Sequence, residues 1–513
     1  MKFDFKQVKF GAILSYILMI LNMLYGLWIT PFLINNLGTD EYGLYKLVGS
    51  LSSSLLVLNL GIGDTVQRYV ATYLAEDERK KIPNLMAMCI IITIVLNFII
   101  FVVGAVIIFV FPHVYGHTLT IDQLSKARVL LAILIVNIMV TVIENLFSGL
   151  LIGFNDYIFT NSIKVLTVLI RAVLVYFAIS KKADSIGLAT ITLVLSCAVL
   201  IAEFLYGKQK LNVIIRYSFW DKNLFKEAGK YTALMFLTAL ASQAVTNIDT
   251  IVIGAVLGTA VVTMYSVGQY FFNLFQQLSC GVSGVMLPTV TMALHEDDGM
   301  QRVEQVVIGA GRVQFALLGA ALAGIICVGK EFILLWLGEG YEDVYILIMI
   351  LVIPTMFELC TNVCLSILRA QNKIAFRTYV VFTSAVINSI LTVVLVNVWS
   401  YMGAAIATAF SYISCSLIAM NIYYVKVIKL RMGVIYKGII RRIWICIILP
   451  SIATIVLSKF FSGTWLLFAV KVLFFCFIYG ILLLVYGLDS SERSQVPIIG
   501  QLFSYSGEKR NEV

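Results

Sequence analysis

The residues most able to do chemistry in this sequence are cations that lie inside apolar stretches. Arg171 occurs midway along a stretch that begins near residue 160, about 16 Å from its start if the stretch is helical. A charge at the centre of a bilayer costs at least about 2.5 to 3.5 kcal/mol, so it needs a partner or a water-filled cavity. A guanidinium can bind phosphate oxygens through two parallel hydrogen bonds. Arg171 therefore predicts either an anion-binding site or an internal pair with Glu144 or another acid.

Further cations accompany Arg171. Lys164 lies seven residues before it and Lys182 eleven after it, both within about 20° of its direction on a helix. They predict a cationic stripe, although lysines that anchor the helix ends would give the same pattern. Arg68 is placed near the inner end of the second predicted helix. It either receives an anionic headgroup or pairs with Asp64, four residues earlier.

Polar side chains form stripes at helical spacing on four other apolar stretches. The stripes are Asn137, Thr141, Glu144 and Ser148; Ser242, Thr246 and Asp249 with Asn247; Gln269, Asn273, Gln276 and Cys280; and Thr355, Glu358, Asn362 and Arg369. Such faces should not face lipid. They predict either a hydrated cavity suited to hydroxyl-rich molecules or hydrogen bonds that hold helices together, each worth about 0.6 kcal/mol. Asp249 and Glu358 could also be counter-charges or proton or sodium sites.

From these patterns we predict a substrate-binding set but no catalytic residues and no metal site. The predicted set is Arg171, Lys164, Arg68, Glu144, Asn137, Asn247, Asp249, Asn273, Gln276, Glu358 and Asn362. Cys360 and Cys364 share a helical face, but small packing residues are the favoured interpretation. His113 and His117 follow a proline near a membrane surface, where an interfacial position is favoured over metal binding. No phosphate-binding loop of the form G-x-x-x-x-G-K-[ST] is present, so ATP hydrolysis by this chain is excluded.

The elements that position these residues are membrane-spanning helices. Hydrophobic residues make up 60% of the 513 residues and charged residues 13%, against about 25% charged in soluble domains. A bilayer core takes about 20 helical residues to cross, so the chain has room for about fourteen spans and no sizeable soluble domain. The predicted spans are 10–34, 43–72, 85–111, 127–153, 160–180, 185–206, 229–256, 263–289, 303–328, 344–367, 379–398, 403–425, 443–460 and 465–486.

Lysine and arginine residues are concentrated on one side of these predicted spans. Clusters at 2–9, 79–81, 208–226 and 426–442 fall on the side that contains the N-terminus, and the other side has few. The positive-inside rule places both termini in the cytoplasm. The formal net charge of +9 therefore reflects topology and contact with anionic lipid, not nucleic acid binding.

The sequence also contains an internal repeat. Leu37-Gly38-Thr39 aligns with Leu257-Gly258-Thr259 at a shift of 220 residues, and Phe159 aligns with Phe376 at a shift of 217. With six spans in each copy, both copies enter the membrane from the same side. We therefore predict an N-terminal six-helix lobe at 1–212, a second lobe at 213–428, two further spans within 429–486 and a cytoplasmic tail at 487–513. Repeat-built transporters bind substrate at the seam between their repeats and alternate its access to the two sides.

Three short segments carry a resemblance to a known family. LGTDEYGLY (37–45), LNLGIGDTVQRYVATYLAE (58–76) and NIDTIVIGAVLG (247–258), within this 6+6+2 layout, resemble the Wzx-type polysaccharide transporters of the multidrug/oligosaccharidyl-lipid/polysaccharide superfamily. The resemblance implies fourteen transmembrane helices and a two-lobed, V-shaped cavity. It further implies flipping of undecaprenyl-diphosphate-linked oligosaccharide to the outer leaflet of a bacterial inner membrane. The family has no catalytic signature to transfer to this chain.

Two other functions stay open on the residues alone. A multidrug or cation antiporter of the same superfamily would attract its substrate to the acids, but a midplane Arg171 would repel it. A membrane-embedded polymerase or acyltransferase would need positioned acid and base groups. We expect no cofactor other than a coupling ion, H⁺ or Na⁺, and a monomer that works in the lipid bilayer, with the polysaccharide polymerase machinery as a further partner. The membrane potential acting on an anionic headgroup would supply energy.

Overall fold

The computed structural model describes residues 5–210, 215–220, 222–283, 286–296, 298–371, 373–461 and 463–488. Within these ranges nearly every residue is helical and there is no β-strand. The predicted all-α membrane fold is therefore confirmed. The predicted tail lies almost entirely outside the described residues, as does the predicted boundary at 212/213.

The helices are long and follow one another with short turns. In order they are α1 (Phe5–Leu37), α2 (Thr39–Ser54), α3 (Ile62–Ala75), α4 (Ile82–Tyr115), α5 (Ile121–Gly153), α6 (Tyr157–Ser180), α7 (Ser185–Lys210), α8 (Lys222–Leu257), α9 (Thr259–Ser283), α10 (Leu287–Leu294), α11 (Gly299–Leu337), α12 (Asp343–Cys360), α13 (Cys364–Ala370), α14 (Ala375–Ser411), α15 (Met420–Tyr423), α16 (Met432–Ile440), α17 (Ile443–Ser458) and α18 (Trp465–Leu482). Short 3₁₀ segments lie at Leu55–Asn59 and Arg79–Lys81, and π-helical segments at Tyr412–Ala419, Tyr424–Ile428 and Leu483–Gly487.

Among the described residues, 11 helical stretches are long and apolar enough to cross a membrane, or 12 if the bent pair α16 and α17 forms one span. One of them, Ala375–Ile428, is 54 residues long. At about 1.5 Å per residue this is far longer than one crossing needs. The helix breaks at Trp399 and Ser400, where Ser400 has a φ of 53°, so the stretch provides both predicted spans 379–398 and 403–425. The predicted span 263–289 includes most of α9, which does not pass the same test, and residues 284 and 285, which lie outside the described ranges.

One predicted span is wrong in its extent. We predicted a continuous helix over 344–367, but α12 ends at Cys360, Thr361–Val363 form turns, and α13 begins at Cys364. The sequence here is mostly apolar and has no glycine or proline at the break, and its polar residues Glu358 and Asn362 fitted a helical spacing, so the pattern gave no sign of the turn. Asn362 therefore lies in a turn, and Thr355, Glu358, Asn362 and Arg369 do not form one continuous helical stripe.

The chain forms two compact units. The first comprises Met1–Val267 and Arg377–Ser411, and the second comprises Gly268–Phe376 and Tyr412–Val513. In the first unit α5 packs against α3, α4 and α7, and α6 packs against α1 and α7. In the second unit α11 packs against α12, α16, α17 and α18. Large apolar side chains such as Phe98 and Phe109 are strongly exposed, as expected of surfaces that contact lipid.

The structure supports the internal repeat in two details. Gly38 and Gly258, which the sequence aligned, adopt the same unusual backbone conformation, with φ angles of 87° and 84°. The ring of Phe159 stacks on Tyr206 at 3.7 Å, and the aligned Phe376 stacks on Tyr423 at 4.0 Å. Each unit thus contains one copy of the same aromatic pair at the same shift of 217 residues. The predicted lobe boundaries themselves stay predictions.

Buried charges hold the last helices in the second unit. Arg312 of α11 donates hydrogen bonds to the carbonyl oxygens of Gly438, Arg441 and Gly487, the last at 2.7 Å. Lys471 of α18, only 1% exposed, forms an ion pair with Glu331 of α11. These contacts give hydrogen-bond partners to carbonyl oxygens near helix ends, and counter-charges to ions, that would have neither in lipid.

Candidate substrate site

Two of the three residues of the predicted cationic stripe lie on α6; the third, Lys182, follows the end of this helix at Ser180 and has a φ of 61°. Lys164 and Arg171 are about 10 Å and 21 Å along this helix from Tyr157, and both are half-buried. The Lys164 ammonium donates a hydrogen bond to the hydroxyl of Ser148 on α5 at 3.3 Å. The Arg171 Nε is buried and has no hydrogen-bond partner among the described residues. The stripe thus presents one cation held by a neutral hydroxyl and another with unused hydrogen-bonding capacity.

An acid on α5 lies near these cations without closing an ion pair. Glu144 is half-buried one helical turn from Ser148, and Lys164 and Arg171 both act on it electrostatically. No carboxylate of the described chain lies within 4.0 Å of either cation. The internal pair between Arg171 and Glu144, which the sequence left open, is therefore not formed in this structure. Asn137, two turns before Glu144 on α5, has a buried side-chain oxygen without a partner among the described residues.

Glu203 of α7 is a second acid and was not among the predicted residues. It is 0% exposed, and neither carboxylate oxygen has a hydrogen-bond partner in the described chain. Glu144 and Lys164 act on it electrostatically. The signal was available, because an acid inside an apolar run is a functional candidate by default. We placed the end of this span at residue 206, which made Glu203 resemble a helix-end residue, whereas α7 continues to Lys210.

Asp249 of α8 is held in a closed network. It is 1% exposed and accepts hydrogen bonds from the hydroxyls of Tyr265 at 2.5 Å, Thr392 at 2.7 Å and Thr408 at 2.6 Å. The amide of Asn388 donates a fourth, at 3.3 Å. All four donors are neutral, so the network joins α8, α9 and α14 around a single acid. Its predicted contact with substrate stays a prediction.

The remaining predicted residues lie on elements other than α5, α6 and α7. Asn247 is buried and donates to Gln243 and to Ser54. Arg68 is exposed, with its guanidinium 5.9 Å from the centre of the Tyr69 ring. In the second unit the side-chain amide of Gln276 donates to the Tyr412 hydroxyl at 3.0 Å. Asn273, Glu358 and Asn362 are half-buried.

A small cavity adjoins the C-terminal end of α7. It has a volume of ≈ 140 Å³ and is lined by Met86, Phe147, Leu150, Phe204, Gly207, Lys208 and Ile215. Gly207 is one helical turn beyond Glu203, on the same side of α7. The walls are mainly apolar, with one lysine, and all of the lining residues belong to the first unit.

Comparison with solved structures defines the class of protein. The fold resembles that of the lipid II flippase MurJ in an inward closed conformation, with a TM-score of 0.68, 14% identity, and coverage of 92% of this chain and 97% of that one. It also resembles an inward-facing multidrug resistance MATE family transporter of the MOP superfamily, with a TM-score of 0.65, 15% identity, and coverage of 82% and 96%. The chain is a multi-pass membrane protein with the fold of MOP superfamily transporters.

Sequence comparison gives the family. Residues 9–294 match the family described as polysaccharide biosynthesis protein, and the chain belongs to this family. It is 24% identical over 457 residues to the uncharacterized membrane protein EpsK of Bacillus subtilis (84% of this chain, 86% of EpsK). It is 25% identical over 264 residues to the probable flippase AglR of Haloferax volcanii (50% of this chain, 52% of AglR). The family predicted from the short motifs is therefore confirmed.

Proposed function

We propose that this chain flips an undecaprenyl-diphosphate-linked oligosaccharide from the cytoplasmic to the outer leaflet of a bacterial inner membrane by alternating access. Membership in the polysaccharide biosynthesis protein family and the likeness of its fold to a lipid II flippase support a lipid-linked cargo. Both termini are cytoplasmic in this proposal, as the distribution of basic residues indicates. The chain works as a transporter and not as an enzyme.

The observation that carries the proposal is the state of Arg171. A diphosphate that crosses the membrane must exchange its water for protein donors, because transfer of a bare charge into hydrocarbon costs tens of kcal/mol. Arg171 is half-buried and has an Nε without a partner among the described residues. Lys164 lies on the same helix and is held only by the neutral hydroxyl of Ser148. Together they offer two cations to a dianionic headgroup.

The energy for export comes from the membrane potential and from consumption of the lipid outside. Movement of one charge through 100 mV is worth about 2.3 kcal/mol, so a dianionic headgroup that leaves a negative interior gains about 4 to 5 kcal/mol. Antiport of H⁺ or Na⁺ adds to the free energy that is available for export. The polysaccharide polymerase machinery would receive the product.

Identification of co-purified lipid tests the cargo. The protein is purified from a bacterium that makes surface polysaccharide, and the bound lipids are analysed by mass spectrometry. The proposal predicts enrichment of prenyl diphosphate saccharides, and predicts that Arg171→Gln loses this enrichment while Lys459→Gln, at an exposed position, keeps it. Equal lipid profiles for the wild type, Arg171→Gln and an unrelated membrane protein would contradict it.

A multidrug or cation antiporter is the second candidate. It is favoured by the buried acid Asp249 and by the likeness of the fold to a MATE transporter. Such a protein would extrude cationic dyes from vesicles and would lose this activity in Asp249→Asn. A lipid flippase would leave the dye distribution unchanged in both the wild type and the variant, so one dye assay separates the two functions.

A further inference from the structure

Glu203 has surroundings that do not suit an ionised carboxylate. Its side chain is 0% exposed and both oxygens lack hydrogen-bond partners among the described residues. An ionised carboxylate moved into such a place costs far more than a neutral one unless it is paired. The cation that acts on it, Lys164, forms no ion pair with it and donates a hydrogen bond to Ser148 instead. The state of lowest energy here is therefore the protonated acid.

Of the helices α5, α6 and α2, which pack on α7, the first two bring charged groups near Glu203. From α5 comes Glu144, and from α6 come Lys164 and, further along, Arg171, which acts on Glu144. Glu41 of α2 lies at the opposite end of α7. It accepts hydrogen bonds from Ser185 and forms an ion pair with Lys126. On α7 itself, Tyr206 donates to Asp156 at 2.5 Å.

A cavity lies one helical turn from Glu203, beside Gly207 of the same helix. The ≈ 140 Å³ cavity is lined by Phe204 and Gly207 of α7, and Gly207 is one turn from Glu203. This volume has room for several water molecules, and Lys208 is a polar partner for them. Lys208 also lines the cavity, and the distribution of basic residues places this end of α7 on the cytoplasmic side. A proton that leaves Glu203 would pass to water in this cavity.

We propose that Glu203 is a proton-binding site whose protonation is linked to anion binding by Lys164 and Arg171. When the carboxyl loses its proton to water, the new carboxylate attracts the Lys164 ammonium and competes with any anion for it. When the carboxyl is protonated, Lys164 is available to an anion. Linkage is reciprocal, so the bound anion raises the proton affinity of Glu203 by the same factor. The anion in this inference is a prenyl diphosphate saccharide, and that identity rests on the proposed function.

The pH dependence of binding tests the linkage. The probe is a short-chain prenyl diphosphate monosaccharide, a diphosphate diester whose charge is constant over the pH range used. For the full chain in detergent, its Kd should rise with pH, by up to about tenfold per pH unit for one linked proton. Glu203→Gln should bind with nearly the same Kd at all pH values, and Glu203→Asp should keep the slope. Glu339→Gln, in an exposed loop, is the control that should match the wild type.

A readout without ligand separates this inference from the proposed function. Infrared difference spectra of the ligand-free protein between low and high pH should contain a protonated-carboxyl band that is missing in Glu203→Gln and present in Glu339→Gln. If this band titrates but the probe does not bind, the proton site stands and the proposed cargo fails. If the probe binds with the same pH slope in Glu203→Gln as in the wild type, or if no band is lost in that variant, the inference is overturned.

Discussion

The hydroxyl of Thr263 donates a hydrogen bond to the backbone carbonyl oxygen of Thr39 at 2.6 Å. Gly43 approaches the backbone of Thr259 in the same contact, so closely that a Cβ at Gly43 would lie 1.9 Å from the Thr259 oxygen. At the repeat shift of 220 residues, Thr39 corresponds to Thr259 and Gly43 to Thr263. The two copies of the repeated motif therefore contact each other through equivalent positions, as a pseudo-twofold relation requires.

This close contact predicts opposite effects for two glycines of the same helix. Gly43→Ala should lower the free energy of unfolding by about 1 to 3 kcal/mol, because the added methyl group must displace the backbone of Thr259. Gly49→Ala should be neutral or stabilising by up to about 1 kcal/mol, since a Cβ there meets nothing within 4 Å. Thermal unfolding in detergent measures both. Equal midpoints for the two variants would show that the contact is not maintained in the membrane protein.

The pair between Lys471 and Glu331 predicts a large and asymmetric effect. Lys471→Met should cost about 3 to 5 kcal/mol, because it leaves the carboxylate of Glu331 without its cation. The double variant Lys471→Met with Glu331→Leu should recover much of this loss, since no uncompensated charge remains. Lys459→Met, at an exposed position, provides the control. A double variant as unstable as Lys471→Met alone would contradict a role for charge pairing.

The network around Asp249 predicts that its negative charge is needed for stability. Asp249→Asn should lower the free energy of unfolding by about 1.5 to 3 kcal/mol, because three hydroxyls that donate to the carboxylate would meet an amide that can accept at only one atom. Asp122→Asn, exposed in the first turn of α5, should change it by less than about 1 kcal/mol. The two unfolding midpoints in detergent are compared, and equal shifts would rule out the network as the cause.

The proposed energy source predicts a dependence on voltage. In vesicles with a potassium diffusion potential, outward movement of the diphosphate lipid should speed up when the side of departure is negative, because two charges gain about 4 to 5 kcal/mol per 100 mV. Reversal of the potential should slow it. A rate that is indifferent both to the potential and to proton and sodium gradients would exclude this energy source.

The sequence predicted most of the helices because a membrane makes apolar length a strong signal. It also predicted the repeat, through residues such as Phe159 and Phe376 whose structural equivalence depends on local packing. It did not predict the turn at Thr361–Val363, because Asn362 fitted the spacing of a polar stripe on a continuous helix. Nor did it predict where helix ends lie to within a turn, which is why Glu203 was overlooked.

The site was less predictable than the fold, since helical spacing shows which residues share a face but not what that face contacts. Asp249 and Glu144 both lie on predicted polar stripes, yet four donors surround the carboxylate of Asp249 and Glu144 has no ion-pair partner among the described residues. Only the arrangement of neighbouring helices distinguishes these two environments. The roles of the predicted substrate-binding residues stay predictions.

The most direct test of the central claim is leaflet-to-leaflet movement of a prenyl diphosphate saccharide in vesicles that contain the purified protein. We predict transport by the wild type, its loss to below about one tenth in Arg171→Gln, and partial retention in Arg171→Lys, since lysine keeps the charge but not the paired donors. Protein abundance and unfolding midpoint should stay near the wild-type values in both variants. Transport by Arg171→Gln at the wild-type rate would contradict a role for this guanidinium in moving the anionic headgroup.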